Sequence, residues 1–78
     1  NFLEIMNNSK FNYTIIKNLY YFPSGRWDIE THNGILIKLP KKNLENSINL
    51  SFLILNNDNF KKVKMIDIRQ QNQVITNE

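Results

Sequence analysis

Apolar and polar residues alternate most regularly between Gly25 and Pro40. Trp27, Ile29 and Thr31 alternate with Asp28 and Glu30, and Ile35, Ile37 and Leu39 alternate with Leu36 and Lys38. A period of two with one apolar face is the pattern of paired strands. Their register follows from chemistry. A two-residue Asn33-Gly34 turn would set Ile29 opposite Lys38 and Glu30 opposite Ile37, mixing core and solvent residues on one face. A three-residue loop, His32-Asn33-Gly34, pairs Thr31 with Ile35, Ile29 with Ile37 and Trp27 with Leu39 on one face, and Asp28 with Lys38 on the other. The three-residue loop is therefore expected, with Gly34 in the left-handed conformation of a bulge.

Upstream, residues 1–9 carry Phe2, Leu3, Ile5 and Met6 and suit the end of a preceding helix. From Phe11 to Phe22 aromatic and β-branched residues occupy both parities, predicting a strand covered on both faces for part of its length. Pro23-Ser24-Gly25 is a turn by composition, so residues 11–40 read as a three-stranded antiparallel unit. Pro40 ends the ladder, and the Asn43 side chain is placed to cap a helix over 43–56. Leu44, Ile48, Phe52 and Leu55 recur at helical spacing, with Leu50, Leu53 and Ile54 widening the stripe. Asn56 to Asn59 stops the helix, and Phe60 is expected to fold back as a last anchor. Val63 to Arg69 then reads as a strand, Gln70 to Asn72 as a turn or bulge, and Gln73 to Thr76 as a short final strand at an edge. The fold expected is α+β in two layers, an antiparallel sheet of about four to five strands against one main amphipathic helix, in a single domain over 1–78.

Composition narrows this picture modestly. With 78 residues, the chain buries only about 60–65% of its unfolded surface, so its net stability is small. It has no cysteine, which removes disulfides and thiolate metal sites and leaves the redox compartment open. No apolar run is long enough to cross a membrane, and the N-terminal residues lack the basic end of a signal peptide. A first residue of Asn followed by an apolar stretch suggests a fragment of a longer protein, whose targeting segments would lie outside it. The net charge of +3 comes mostly from lysine in a chain rich in Asn, Ile and Lys, and argues little about partners.

Candidate chemistry is sparse. The only histidine, His32, sits in the hairpin loop without companions at ligand or catalytic spacing. Asp28 and Glu30 fall on the solvent face, and a cross-strand pair with Lys38 accounts for Asp28. Two glycines cannot build a phosphate loop. An enzyme is not expected, nor any cofactor, metal or small-molecule substrate. Lys41-Lys42, Lys61-Lys62 and Lys64 beside Tyr20, Tyr21, Phe22 and Trp27 give an alternative as a small basic nucleic-acid-binding module. The same rings serve a small core equally well, and lysines beside helix ends are ordinary. The stretch after Arg69, Gln70 to Thr76, has two readings: a strand that closes the sheet, or an edge that offers amides and carbonyls to a partner's strand, with Val74 and Ile75 adding apolar contact.

Four features in order now resemble a known family: Gly25-Arg26-Trp27-Asp28-Ile29, Asn33-Gly34-Ile35 leading to Lys38-Leu39-Pro40, a helix of about fourteen residues, and Ile66-Asp67-Ile68-Arg69. Over roughly Leu19 to Ile75 the chain resembles the C-terminal β domain of the bacterial division protein FtsQ, called DivIB in some lineages. The resemblance implies a non-enzymatic scaffold of the divisome on the periplasmic face of the inner membrane. There the domain follows a polypeptide-transport-associated (POTRA) domain and a single membrane-spanning helix. It also implies that the last strand receives a strand of FtsB, itself in coiled coil with FtsL. By position, Arg69 would face an acidic residue of FtsB, Arg26 would be a second charged contact, and Gln70, Asn72, Gln73, Val74, Ile75 and Thr76 would form the augmented edge. The chain departs from many relatives, which carry Pro-Asp or an aromatic residue where it has Gln70-Gln71.

Overall fold

A computed structural model of the chain describes Glu4, Ile5, Asn7 and residues 13–57, 62–70 and 73–77. A 3-10 turn, Tyr13–Ile15, leads into β1, Ile16–Tyr21, followed by β2, Trp27–Thr31, and β3, Leu36–Lys38. The helix α1, Leu44–Leu55, precedes β4, Met65–Asp67, and β5, Ile75–Asn77. The strands form one sheet in the order β1-β2-β3-β4-β5, so β1 and β5 are its edges.

The hairpin register is the expected one. Asp28 stands opposite Lys38 and Ile29 opposite Ile37, while the Thr31 amide donates to the Ile35 carbonyl at 2.9 Å. The Gly34 amide closes the turn onto the Thr31 carbonyl at 3.0 Å, and Gly34 has φ +84°, the left-handed region that a side chain resists. The Thr31 hydroxyl accepts from the Ile35 amide at 3.1 Å, which gives this β-branched residue a second part in the loop.

The first strand is shorter than the sequence suggests. It begins at Ile16 after the 3-10 turn, and Phe11 and Asn12 lie outside the described residues. The ladder to β2 is irregular between Ile16 and Asn18, so Lys17 is extruded as a bulge. That bulge shifts the alternation, so Ile16 and Leu19, three residues apart, both pack against the core. Coverage on both faces is not observed: Tyr20 and Tyr21 are exposed.

The sheet is mixed, where an antiparallel one was expected. β3 and β4 run parallel, with Ile37 opposite Ile66 and Lys38 opposite Asp67. The cause is the helix. Twelve residues at 1.5 Å rise carry the chain back along the sheet by about 18 Å, so the strand after it starts at the same end as the strand before it. β5 then reverses and pairs antiparallel with β4, Ile66 opposite Thr76 and Asp67 opposite Ile75.

The core lies between sheet and helix. Ile29, Ile37, Leu39, Ile66 and Ile68 from the sheet side meet Ile48 and Ile54 from α1, with Val63 beneath. Ile5 packs on the same cluster, and Glu4, Ile5 and Asn7 are helical; the other residues of 1–9 lie outside the described ones. The buried stripe of α1 differs from the one expected. Ser47 and Ser51 are buried, while Leu50 and Leu53 are exposed. The Ser51 hydroxyl donates to the Ser47 carbonyl at 2.9 Å, which offsets the cost of burying it.

The helix ends also differ in mechanism. Asn43 adopts φ 56°, ψ 40° and makes no side-chain cap; its carbonyl accepts from the Ser47 amide at 3.0 Å. Asn is among the few residues that tolerate this left-handed geometry, so its presence there answers to backbone shape rather than to capping. At the other end the Asn56 side chain donates back to the Phe52 carbonyl at 2.9 Å. Phe60 lies outside the described residues.

Candidate functional site

The row through the middle of the sheet reads Tyr20, Asp28, Lys38, Asp67, Ile75 across β1 to β5. These positions alternate with the row Leu19, Ile29, Ile37, Ile66, Thr76 that faces α1, so they stand on the open face of the sheet. Two arginines flank the row, Arg26 just before β2 and Arg69 just past β4, each bonded to the aspartate two residues away.

Arg69 grips Asp67 from two sides. Its Nε donates to Asp67 Oδ1 at 2.9 Å and its Nη2 to Oδ2 at 2.7 Å, while the Arg69 backbone amide adds a third bond to Oδ1 at 3.0 Å. The side-chain hydrogen bonds from Arg69 hold the Asp67 carboxyl below the usual carboxylate range, helped by the charges of Arg69 and Lys38. Asp67 in turn keeps Arg69 protonated more firmly, with Asp28 contributing from two strands away.

Arg26 is held differently. One nitrogen, Nη1, donates both to Asp28 Oδ1 at 3.0 Å and to the Leu39 carbonyl at 3.1 Å, and the guanidinium stands 5.0 Å from the centre of the Phe22 ring. Arg26 thus ties the start of β2 to the end of β3 and covers Asp28, which is 4% exposed. Asp28 does not form the solvated pair with Lys38 that the sequence leads one to expect. Lys38 lies opposite Asp28 in register, but the carboxylate takes Arg26 and is buried beneath it.

Five alternating charges, Arg26, Asp28, Lys38, Asp67 and Arg69, therefore run across three strands. The signal was present in the sequence as Arg-x-Asp and Asp-x-Arg, since residues two apart in a strand share a face. Nearer β1, Glu30 accepts from the Asn18 amide at 2.8 Å and from the Tyr20 hydroxyl at 2.7 Å. Both donors hold the Glu30 carboxyl low, and the Tyr20 phenol is pushed up by donating to it.

The remaining candidates divide. Gln70 sits in an exposed bend after Arg69, and its carbonyl accepts from the Gln73 amide at 3.3 Å, so it precedes the edge rather than belonging to it. Asn72 lies outside the described residues. Gln73 and Val74 lead into β5, which begins at Ile75 and runs through Thr76 to Asn77; all are exposed. Trp27 is half-buried against the core and packs on Tyr21 at 4.8 Å between ring centres.

Comparison with family models, with curated proteins and with solved structures finds no match to this chain. The function is therefore argued from geometry. His32 is exposed in the hairpin turn and lines a recess of about 470 Å³ in which, among the described residues, it is the one ionisable side chain. Among the described residues, no three His, Asp or Glu side chains converge as metal ligands, and no helix is long and apolar enough to cross a membrane.

The two sheet edges are built unlike each other. β1 carries a bulge at Lys17, and both a bulge and an edge lysine discourage another strand from pairing. β5 and its approach, Val74-Ile75-Thr76-Asn77, have no charge and no proline, and Val74 and Ile75 are 40% and 42% exposed. A strand in that state presents main-chain donors and acceptors together with apolar contact.

Proposed function

We propose that the chain is a non-enzymatic docking domain that accepts a partner's strand on the β5 edge. The observation that carries this reading is the contrast between the edges: β1 is blunted by the Lys17 bulge, and β5 is smooth, uncharged and partly apolar. The Asp67–Arg69 pair supports it, because a guanidinium held rigid beside the edge, with its side chain 43% exposed, offers preset charge selectivity at low entropic cost.

With the resemblance to the FtsQ β domain, the partner is FtsB in coiled coil with FtsL, and the role is that of a divisome scaffold at the periplasmic face of the inner membrane. Membrane anchoring would belong to a segment outside this chain. Main-chain bonds supply much of the affinity in strand addition, so loss of the edge geometry matters more than loss of any one side chain.

Val74→Pro tests the reading. Proline fixes φ and removes an amide just before β5, where the fold makes little demand. The variant should stay folded by circular dichroism and bind an FtsB strand peptide at least tenfold more weakly; unchanged affinity would refute docking at this edge. Salt-sensitive binding to an arbitrary oligonucleotide by the unmodified chain would favour the nucleic-acid alternative instead.

A further inference from the structure

Among the described residues, one flank of α1 is left uncovered by the sheet. Leu50 is 36% exposed and Leu53, three residues on and thus on the same helical face, is 60% exposed. Leu50 lines a groove of about 780 Å³ between the first half of α1 and the chain entering β5, with Ile68 and Val74 on the opposite wall. Extending the β4–β5 register by one residue sets Val74 opposite Ile68, on the helix-facing side. The apolar surface that a sixth strand would cover is therefore contiguous from Val74 to the outer flank of the helix. Among the described residues, Lys41, Lys42 and Arg69 line the groove and no carboxylate does. Arg69 is already held by Asp67, so the lysines carry the unmatched charge.

We infer that the groove receives alternate side chains of the strand that adds to β5, and that this strand is apolar on its helix-facing side and ends in carboxylates that reach Lys41 and Lys42. This deepens the docking reading and rests on it. The polarity is that of a strand antiparallel to β5, the pairing that β5 itself makes with β4. β5 enters from the groove end, and an antiparallel strand beside it leaves there, so the acidic residues belong at the strand's C-terminal end. A second copy of this chain is a poorer occupant, because each copy carries a net charge of +3 and would bring like-charged rims together.

The probe is a labelled, N-acetylated and C-amidated peptide with isoleucine and threonine at alternate positions and two C-terminal glutamates, titrated by fluorescence anisotropy into the 78-residue chain. Leu50→Asn, at a site already partly solvated, should weaken binding about tenfold with no loss of folding. A paired Lys41→Glu and Lys42→Glu variant should weaken the glutamate peptide severalfold and leave a glutamine-ended peptide unchanged. If Val74→Pro abolishes binding while the Leu50 and lysine variants bind normally, the edge accepts a strand and the groove plays no part, which overturns this inference alone. If Val74→Pro also binds normally, or the chain binds no peptide, the docking reading falls with it. Concentration-dependent dimerisation that Leu50→Asn abolishes would make a second copy the occupant and overturn the inference.

Discussion

Arg69 and Asp67 meet through two parallel side-chain bonds of 2.9 and 2.7 Å, and the same carboxylate also accepts the Arg69 backbone amide. The pair closes β4 and fixes where the chain turns toward β5. Replacing Asp67 by Asn keeps the shape and removes the charge, so Asp67→Asn should cost about 1–2 kcal/mol in urea unfolding. It should also raise the mobility of the Arg69 side chain, visible as weakened Nε–H protection in NMR.

The same pair sets a pH dependence. The Asp67 carboxyl titrates below its unfolded value because of Arg69, so its contribution is fully present above about pH 5 and declines as pH falls through the lower folded value. Unfolding followed between about pH 6 and pH 2 should show stability falling with acid. In Asp67→Asn that fall should be shallower, and equal slopes would remove the pair from the explanation.

Gly34 has φ +84° and nothing within 4 Å of where a Cβ would stand, so backbone strain alone opposes a side chain there. Gly34→Ala should destabilise by about 1–2 kcal/mol, and Gly34→Asn by less, because Asn tolerates the left-handed region. Thermal unfolding of the two variants checks the order.

Much of this fold is legible in the sequence where alternation and turn chemistry agree. The hairpin from Trp27 to Lys38 emerges with its register intact, because the wrong loop length would expose Ile37. The helix emerges with its limits nearly unchanged. What the sequence does not show has physical causes. Periodicity cannot distinguish parallel from antiparallel pairing, so the direction of β4 beside β3 depends on the helix between them. Hydrophobicity alone overrates Leu50 and Leu53 and overlooks Ser47 and Ser51, because a serine whose hydroxyl bonds back to the helix, as Ser51 does to Ser47, can be buried at little cost. The bulge at Lys17 hides the phase of β1. At the candidate site, the Arg-x-Asp and Asp-x-Arg spacings were visible in the sequence, whereas the internal pairing of both arginines required the structure.

That difference along α1 is itself testable. Ser51 is fully buried, and Ser51→Leu should overpack the helix–sheet contact at a cost of about 1–3 kcal/mol. Leu53→Ser, on the exposed flank, should change stability by no more than about 0.5 kcal/mol. A large loss for Leu53→Ser would mean that the helix rests on a different face.

The most direct test of docking at β5 is residue-resolved. In a ¹⁵N–¹H titration of the chain with an FtsB strand peptide, the amides of residues 73–77 should shift and gain protection from hydrogen exchange, while those of β1 stay unchanged. Shifts confined to residues 16–21, or none on either edge, would contradict the account.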